Sequence, residues 1–231
     1  MARVLRWLIR IGGAVIGAKV LLSLGIQVWP VPTPLWARQL LHSRWRRRYR
    51  DPAETMRLLG LAPGMRVLEI GPGSGLFTAE AARLVEAHGQ LVSVDLQIGM
   101  LRPLQQQLQA IGPRNVLLAA ATAEHLPLPD ASVDLAFAIA VLPMIRDKRQ
   151  ALRELRRVLK PTGLLAVSEE VIEPEYVPAN VTRHWCRRAG FALTAQIDRG
   201  WWYLQLFRPL DRNHPFTAPA DSPCTTKRCA R

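Results

Sequence analysis

VLEIGPGSG, residues 67–75, places three glycines in five positions directly after an apolar run. The run reads as a buried strand, and the glycines as a turn bare enough for a ligand to approach the backbone. Spacing narrows the choice of ligand. A Walker A loop needs Gly-Lys-Ser/Thr after its glycines. Here Gly75 is followed by Leu76 and Phe77, so a phosphate-cradling loop is rejected. The dinucleotide fingerprint GxGxxG, started at Gly71, would put its third glycine at position 76, which is leucine. The spacing is GxGxG instead, with Glu69 two residues before Gly71.

That arrangement suits S-adenosylmethionine (SAM). SAM has no pyrophosphate but carries a carboxylate, an ammonium and a sulfonium. Backbone N–H groups at a helix start can meet the carboxylate. Glu69 offers negative charge to the cationic end, directly or through water. Asp95 ends the next strand, where its carboxylate can accept from both ribose hydroxyls, and Leu96 follows it toward adenine. Taken singly, Glu69 could be a structural acid and Asp95 a helix cap.

Outward from the turn, strands and helices alternate. PAETMRLLGL is a short helix before the first strand. Leu76–Ala87 has helical spacing, QLVSVDL is a second strand, and a helix runs from about Gly99 to Ile111. Asn115–Ala120 and Val133–Ala140 are the third and fourth strands. The helix Asp147–Leu159 ends in KPTG, a stop signal. LLAVSEEV is the fifth strand, and a helix follows over residues 180–189. FALTAQID and WWYLQLFR flank Arg199-Gly200 as a hairpin. The fold class expected is α/β: a doubly wound, mostly parallel seven-stranded sheet with an antiparallel closing hairpin, preceded by an N-terminal apolar helix.

The net charge of +13 is uneven. Residues 1–50 hold ten Lys/Arg and no acid, whereas residues 51–208 are nearly balanced. A nucleic-acid enzyme spreads basic charge around its groove, so nucleic acid is disfavoured as a partner. The charge lies beside IGGAVIGAKVLLSLGIQV, residues 11–28, an apolar run of near-spanning length. Trp and Arg beyond it suit a membrane interface. A signal peptide or a soluble helix are the rival readings; QVWPVPTP offers no A-x-A cleavage pattern. Residues 1–30 are therefore expected to form a membrane anchor or in-plane helix, and 31–51 a linker. The Arg-rich run 44–50 would meet anionic lipid headgroups, RNA being the lesser reading. A catalytic body spans 52–209 and a disordered tail 210–231. The body is placed on the cytoplasmic side, where SAM is made. The odd count of three cysteines, without CxxC spacing, argues against a disulfide framework or zinc site.

VLEIGPGSGLFT, VSVDLQIGML, ATAEHLPLPDASVDLAFAIAVL and ALRELRRVLKPTGLLAVSE together resemble the successive motifs of class I SAM-dependent methyltransferases. The nearest branch is the one containing ubiquinone/menaquinone C-methyltransferases. The resemblance covers roughly residues 52–209. It implies that Glu69, Gly71, Gly73 and Gly75 line the methionine end of SAM, that Asp95 binds ribose and that Leu96 packs on adenine. It further implies that Ala123 and Glu124 lie beside the adenine edge and that Ala138 faces the ligand. The family often has Asp before the Ala-Glu pair, where this chain has Thr122.

Catalytic residues stay unassigned, because methyl transfer needs chiefly alignment and exclusion of water. VLPMI after the fourth strand offers only apolar packing where the family often has histidine. Glu169 or Glu170 could face the pocket; Tyr176, His125 and His184 are further candidates. The expected acceptor is a small, lipophilic molecule at a membrane surface. The alternatives are a soluble acceptor for a merely tethered enzyme, and a non-catalytic SAM-binding protein.

Overall fold

Val67, Leu68, Glu69 and Ile70 are all buried, because β1 (Arg66–Ile70) lies mid-sheet with both faces covered. This is why the strand reads as a continuous apolar run rather than an alternation. The computed structural model describes residues 49–210. The remaining strands are β2 (Gln90–Asp95), β3 (Val116–Ala120), β4 (Val133–Ile139), β5 (Leu159–Glu170), β6 (Phe191–Asp198) and β7 (Trp202–Pro209). Their order across the sheet is β3-β2-β1-β4-β5-β7-β6. The first five are parallel, and β7 runs antiparallel between β5 and β6.

The helices are α1 (Pro52–Leu58), α2 (Thr78–Val85), α3 (Ile98–Ile111), α4 (Lys148–Val158) and α5 (Ala179–Arg188). Asp51 starts α1 by accepting from the Ala53 N–H at 2.9 Å, with Pro52 in the first helical position. Asp147 caps α4 by accepting from Gln150 N–H at 2.9 Å. Ala151, Leu152, Leu155 and Val158 form the buried stripe of α4, and Arg156 and Arg157 sit favourably in its last turn. Two apolar layers result. One joins α4 and α5 to Leu68, Ile70, Ala136 and Val167; the other joins α1 and α2 to Val67, Leu91, Leu135 and Ala166.

The seven strands match the expected architecture, with local differences. α4 does stop before KPTG, but β5 already begins at Leu159. Val133 pairs with Leu159 and Leu135 with Leu164, so Lys160–Gly163 bulge out opposite Asp134 alone. Lys160 Nζ reaches Asp134 Oδ1 at 2.6 Å across the bulge. Helix α2 is shorter at both ends than its periodicity suggests. The predicted N-terminal apolar helix, the linker up to residue 48 and the tail from 211 lie outside the described residues. Within them, no helix is long and apolar enough to cross a membrane.

Strand order reverses between β1 and β4, since β1 leads to β2 and β3 on one side and β4 to β5 on the other. In such sheets the crevice beyond the carboxyl ends at this switch point is where ligands bind.

Candidate cofactor and acceptor site

A cavity of about 460 Å³ opens at that switch point. The size lies in the range of small-molecule sites, roughly 300–1,000 Å³. Its walls are the segments that leave the carboxyl ends of β1, β2, β3 and β4, together with Glu173 beyond β5.

The glycine turn forms one wall. Gly71, Gly73 and Gly75 all have positive φ, at 66°, 52° and 80°. The left-handed region is strained for residues with a Cβ. Space constrains two of them as well. A Cβ on Gly71 would stand 2.6 Å from Val141 Cγ2, inside the cavity wall. A Cβ on Gly75 would stand 2.3 Å from Leu104 Cδ1 of α3. Gly71 therefore keeps the cavity open, whereas Gly75 lets α3 pack against the turn.

Asp95 stands half-buried at the cavity edge. Its carboxylate accepts from Gln97 N–H at 2.8 Å and from the Gly73 N–H. Burial raises its pKa, and these two donors oppose the rise. So Asp95 does brace the start of α3, as a structural acid would, and it also lines the cavity.

Glu69 lies elsewhere than expected. It is buried under the turn, and its Oε2 accepts from Ser93 Oγ at 2.6 Å and Thr78 Oγ1 at 2.8 Å. Burial pushes its pKa up to about 7, against the pull of both hydroxyls; nearby Asp95 adds to the rise. Glu69 does not line the cavity. Its influence on a cation there is electrostatic, through the turn.

Of the nine residues the sequence proposed for SAM, Gly71, Gly73, Asp95, Leu96, Ala123 and Glu124 line one cavity. Glu69, Gly75 and Ala138 do not. Ala138 is packed within β4, and Ile139, Ala140 and Val141 reach the cavity in its place. The ligand space lies beyond the strand end, so the last turnout residues meet it. Ala140 adopts φ 55°, unusual for alanine, where the chain leaves β4. Glu124 spends part of its carboxylate on Asp147 N–H, at 3.3 Å. Thr122 also lines the cavity, with its hydroxyl 3.5 Å from His125 Nδ1.

The opposite wall is largely apolar: Val141, Met144 and Ile145, with Arg146 and Glu173 at its edge. Leu142–Met144 form one 3-10 turn. Neither Glu169 nor Glu170 lines the cavity, though both are buried at the end of β5. Burial, then the carboxylates of Glu170, Glu173 and Glu175, hold the Glu169 pKa well above the usual range, Arg50 opposing weakly. Tyr176 stacks edge-on against Tyr203, and His125 and His184 are exposed; none of the three lines the cavity.

Arg50 is a further correction. The sequence placed it in a lipid-facing run, yet it is fully buried. Its Nε donates to Thr55 Oγ1 at 3.1 Å and its Nη2 to Ser168 Oγ at 2.8 Å. Its guanidinium lies 3.9 Å over the Trp202 ring and 5.8 Å from that of Phe77, a cavity residue. Glu170 Oε1 stands 3.9 Å from Nη1, and Tyr49 donates to Glu170 Oε2 at 2.6 Å. The body therefore takes in the two residues before Asp51. Long-range packing, not the local sequence, places Arg50 in the body.

A half-buried carboxylate, a positive-φ turn that a side chain would block, and a buried acid beneath it form a donor and acceptor set that fits SAM. The chain matches, over residues 68–167, the family described as "Methyltransferase domain". Fold, site and match point one way: over these residues the chain is similar to the class I SAM-dependent methyltransferases, whose cofactor is SAM. The chain is 37% identical over 130 residues to the ubiquinone/menaquinone biosynthesis C-methyltransferase UbiE of Shewanella sp. (strain W3-18-1), covering 56% of this chain and 49% of that one. The enzyme of the same name from Teredinibacter turnerae is 42% identical over 116 residues, covering 50% and 47%. The chain thus spans about half the length of these curated relatives. A SAM-dependent methyltransferase from Aquifex aeolicus has the same fold, with a TM-score of 0.72 at 23% identity, covering 76% of this chain and 98% of that one.

Proposed function

We infer that the protein transfers the methyl group of SAM to a small, lipophilic acceptor at a membrane surface. One observation carries the reading. A single cavity joins a polar wall of Gly71, Gly73 and Asp95 to an apolar wall of Val141, Met144 and Ile145. The polar wall suits a charged nucleoside, and the apolar wall suits a greasy partner beside it. The names of the curated relatives point to quinone-type acceptors. The basic, apolar N-terminal sequence supports a membrane setting, and the supply of SAM in the cytoplasm supports a cytoplasmic-side body.

When bound, SAM supplies an electrophilic methyl carbon together with its own leaving group. The chain's residues have the remaining tasks. Asp95 would hold the ribose, and the N–H groups of the glycine turn the carboxylate. Leu96 and Ala123 would pack on adenine. Val141, Met144 and Ile145 exclude water and align the acceptor. Arg146 and Glu173 are the charged groups within reach of an acceptor's polar end.

The test is incubation of the full chain with methyl-labelled SAM and, separately, lipid and aqueous cell extracts. A labelled product in the lipid fraction is expected. Label only in the aqueous fraction would favour a soluble acceptor. SAM binding without transfer to either fraction would make the domain a non-catalytic binder.

A further inference from the structure

We propose that the carboxyl edge of the sheet, which carries the cavity mouth, is the face that docks on a lipid bilayer, with Ile98 and Trp201 as its apolar contacts. This rests on the membrane-side reading given above and adds an orientation to it.

Among the described residues four large apolar side chains are exposed: Leu96 at 60%, Ile98 at 55%, Leu117 at 52% and Trp201 at 64%. Leu117 lies on the outer strand β3. The other three lie at the carboxyl edge. Leu96 lines the cavity, and bound adenine would cover it. Ile98 and Trp201 line no part of the cavity, so the reaction does not account for them. Ile98 opens α3 just beyond β2. Trp201 ends the β6–β7 turn, next to Trp202, which pairs with Glu170 at the end of β5. The cavity mouth, at β1 and β4, lies between the two. Four strand steps separate β2 from β7, a span of roughly 20 Å at about 4.8 Å per step. The two side chains stand on either side of the mouth rather than in one patch, and tryptophan suits the bilayer interface in particular.

Where the described chain begins points to the occupant. Tyr49 and Arg50 fasten to Glu170, Ser168 and Trp202, all at this same edge. The 48 preceding residues carry nine Lys/Arg and the apolar run 11–28, and they join the domain here. Only residues 29–48 separate that run from the fastening point. A bilayer that receives the run is thus held against the cavity side. The edge itself is net acidic, with two arginines, Arg146 and Arg199, against four acids, Glu54, Glu124, Glu173 and Asp198. Apolar insertion therefore makes the local contact, and the basic sequence before Tyr49 supplies the attraction to anionic lipid. An acceptor with a long apolar tail could then enter the cavity without crossing water.

The test uses the full chain carrying Cys224→Ser and Cys229→Ser, with Cys186 left buried. Ile98→Cys, Trp201→Cys or His88→Cys then takes an environment-sensitive fluorophore; exposed His88, ahead of β2, reports the opposite edge. Vesicles are equal parts phosphatidylglycerol and phosphatidylethanolamine, with and without a doxyl-lipid quencher. Labels at 98 and 201 should shift to the blue and be quenched severalfold more than the label at 88. Hydrogen exchange on the unsubstituted chain reads the same face: vesicles should protect residues 96–99 and 199–202. Flotation with vesicles but no difference among the three labels and no such protection overturns the orientation and leaves the membrane reading standing. Failure to float with vesicles overturns the orientation together with the membrane setting, while methyl transfer is still scored by the labelled product.

Discussion

On one side of the switch point, Gly71, Gly73 and Asp95 meet the cavity through backbone and a single carboxylate. On the other, Val141, Met144 and Ile145 present apolar surface, and the adjoining end of β5 is tied to a residue far along the chain. Arg50 lies 118 residues from its partner Ser168. The first side is local in sequence and fixed by backbone geometry. The second is assembled by packing. A fixed chemical demand, the grip on one cofactor, can be met locally; an acceptor-shaped space can be built in many ways.

The largest expected effect lies in that long-range packing, at the end of β5. Arg50→Ala should lower unfolding stability by about 3–5 kcal/mol, because it strands the Glu170 charge and empties the space over Trp202. Urea denaturation measures it. A loss below about 1 kcal/mol, the ordinary surface value, would show that the buried arginine does not brace the end of β5.

On the first side, Asp95→Ala should weaken SAM binding about 100-fold, close to one lost charge-assisted pair of hydrogen bonds. Stability should change far less than in Arg50→Ala. Isothermal calorimetry against SAM decides it. Binding within threefold of the parent would mean that Asp95 serves only to brace α3.

Legibility follows the same division. The glycine turn, Asp95 and Leu96 could be read because spacing alone dictates them: strand, turn, strand end. Even there, periodicity could not tell that Gly75 faces Leu104 rather than ligand, or that Ala138 stops short of the cavity. Both depend on how far the chain runs past the strand end before turning. Glu173 carries no sequence signal, since it reaches the cavity only through the loop after β5. Arg50 misled for a related reason. In a run of arginines nothing local distinguishes the one that finds Ser168, Thr55 and Trp202. The order of elements was legible throughout, because alternating strands and amphipathic helices leave few ways to cover both faces of a sheet.

A pH profile sharpens the comparison next. With its pKa near 7, Glu69 is largely neutral at pH 6 and ionised at pH 8. If a cation is bound above the turn, SAM affinity should fall about tenfold from pH 8 to pH 6, the fraction ionised setting the loss. Stability of the free protein moves the other way. The folded state holds a proton that the unfolded chain has released between its ordinary 4.5 and about 7, so Glu69 stabilises less as pH rises through that window. Glu69→Gln should flatten the binding profile and melt above the parent at pH 8. A binding profile of unchanged steepness in Glu69→Gln would assign the pH dependence to another group.

The smallest effect tests one place where this chain departs from the motifs it resembles. Thr122 lines the cavity beside Ala123 and Glu124 and offers only a neutral hydroxyl to the adenine edge. Thr122→Asp should tighten SAM binding about fivefold at pH 8, near 1 kcal/mol for a charged in place of a neutral acceptor. The gain stays small because Asp95 and Glu124 line the same cavity, and like charges raise the new carboxyl's pKa. For the same reason the gain should shrink toward pH 6. Tighter binding that vanishes on protonation would place the adenine amino group at this position. Weaker binding at both pH values would put the base elsewhere on the wall, with Thr122 held by its approach to His125 instead.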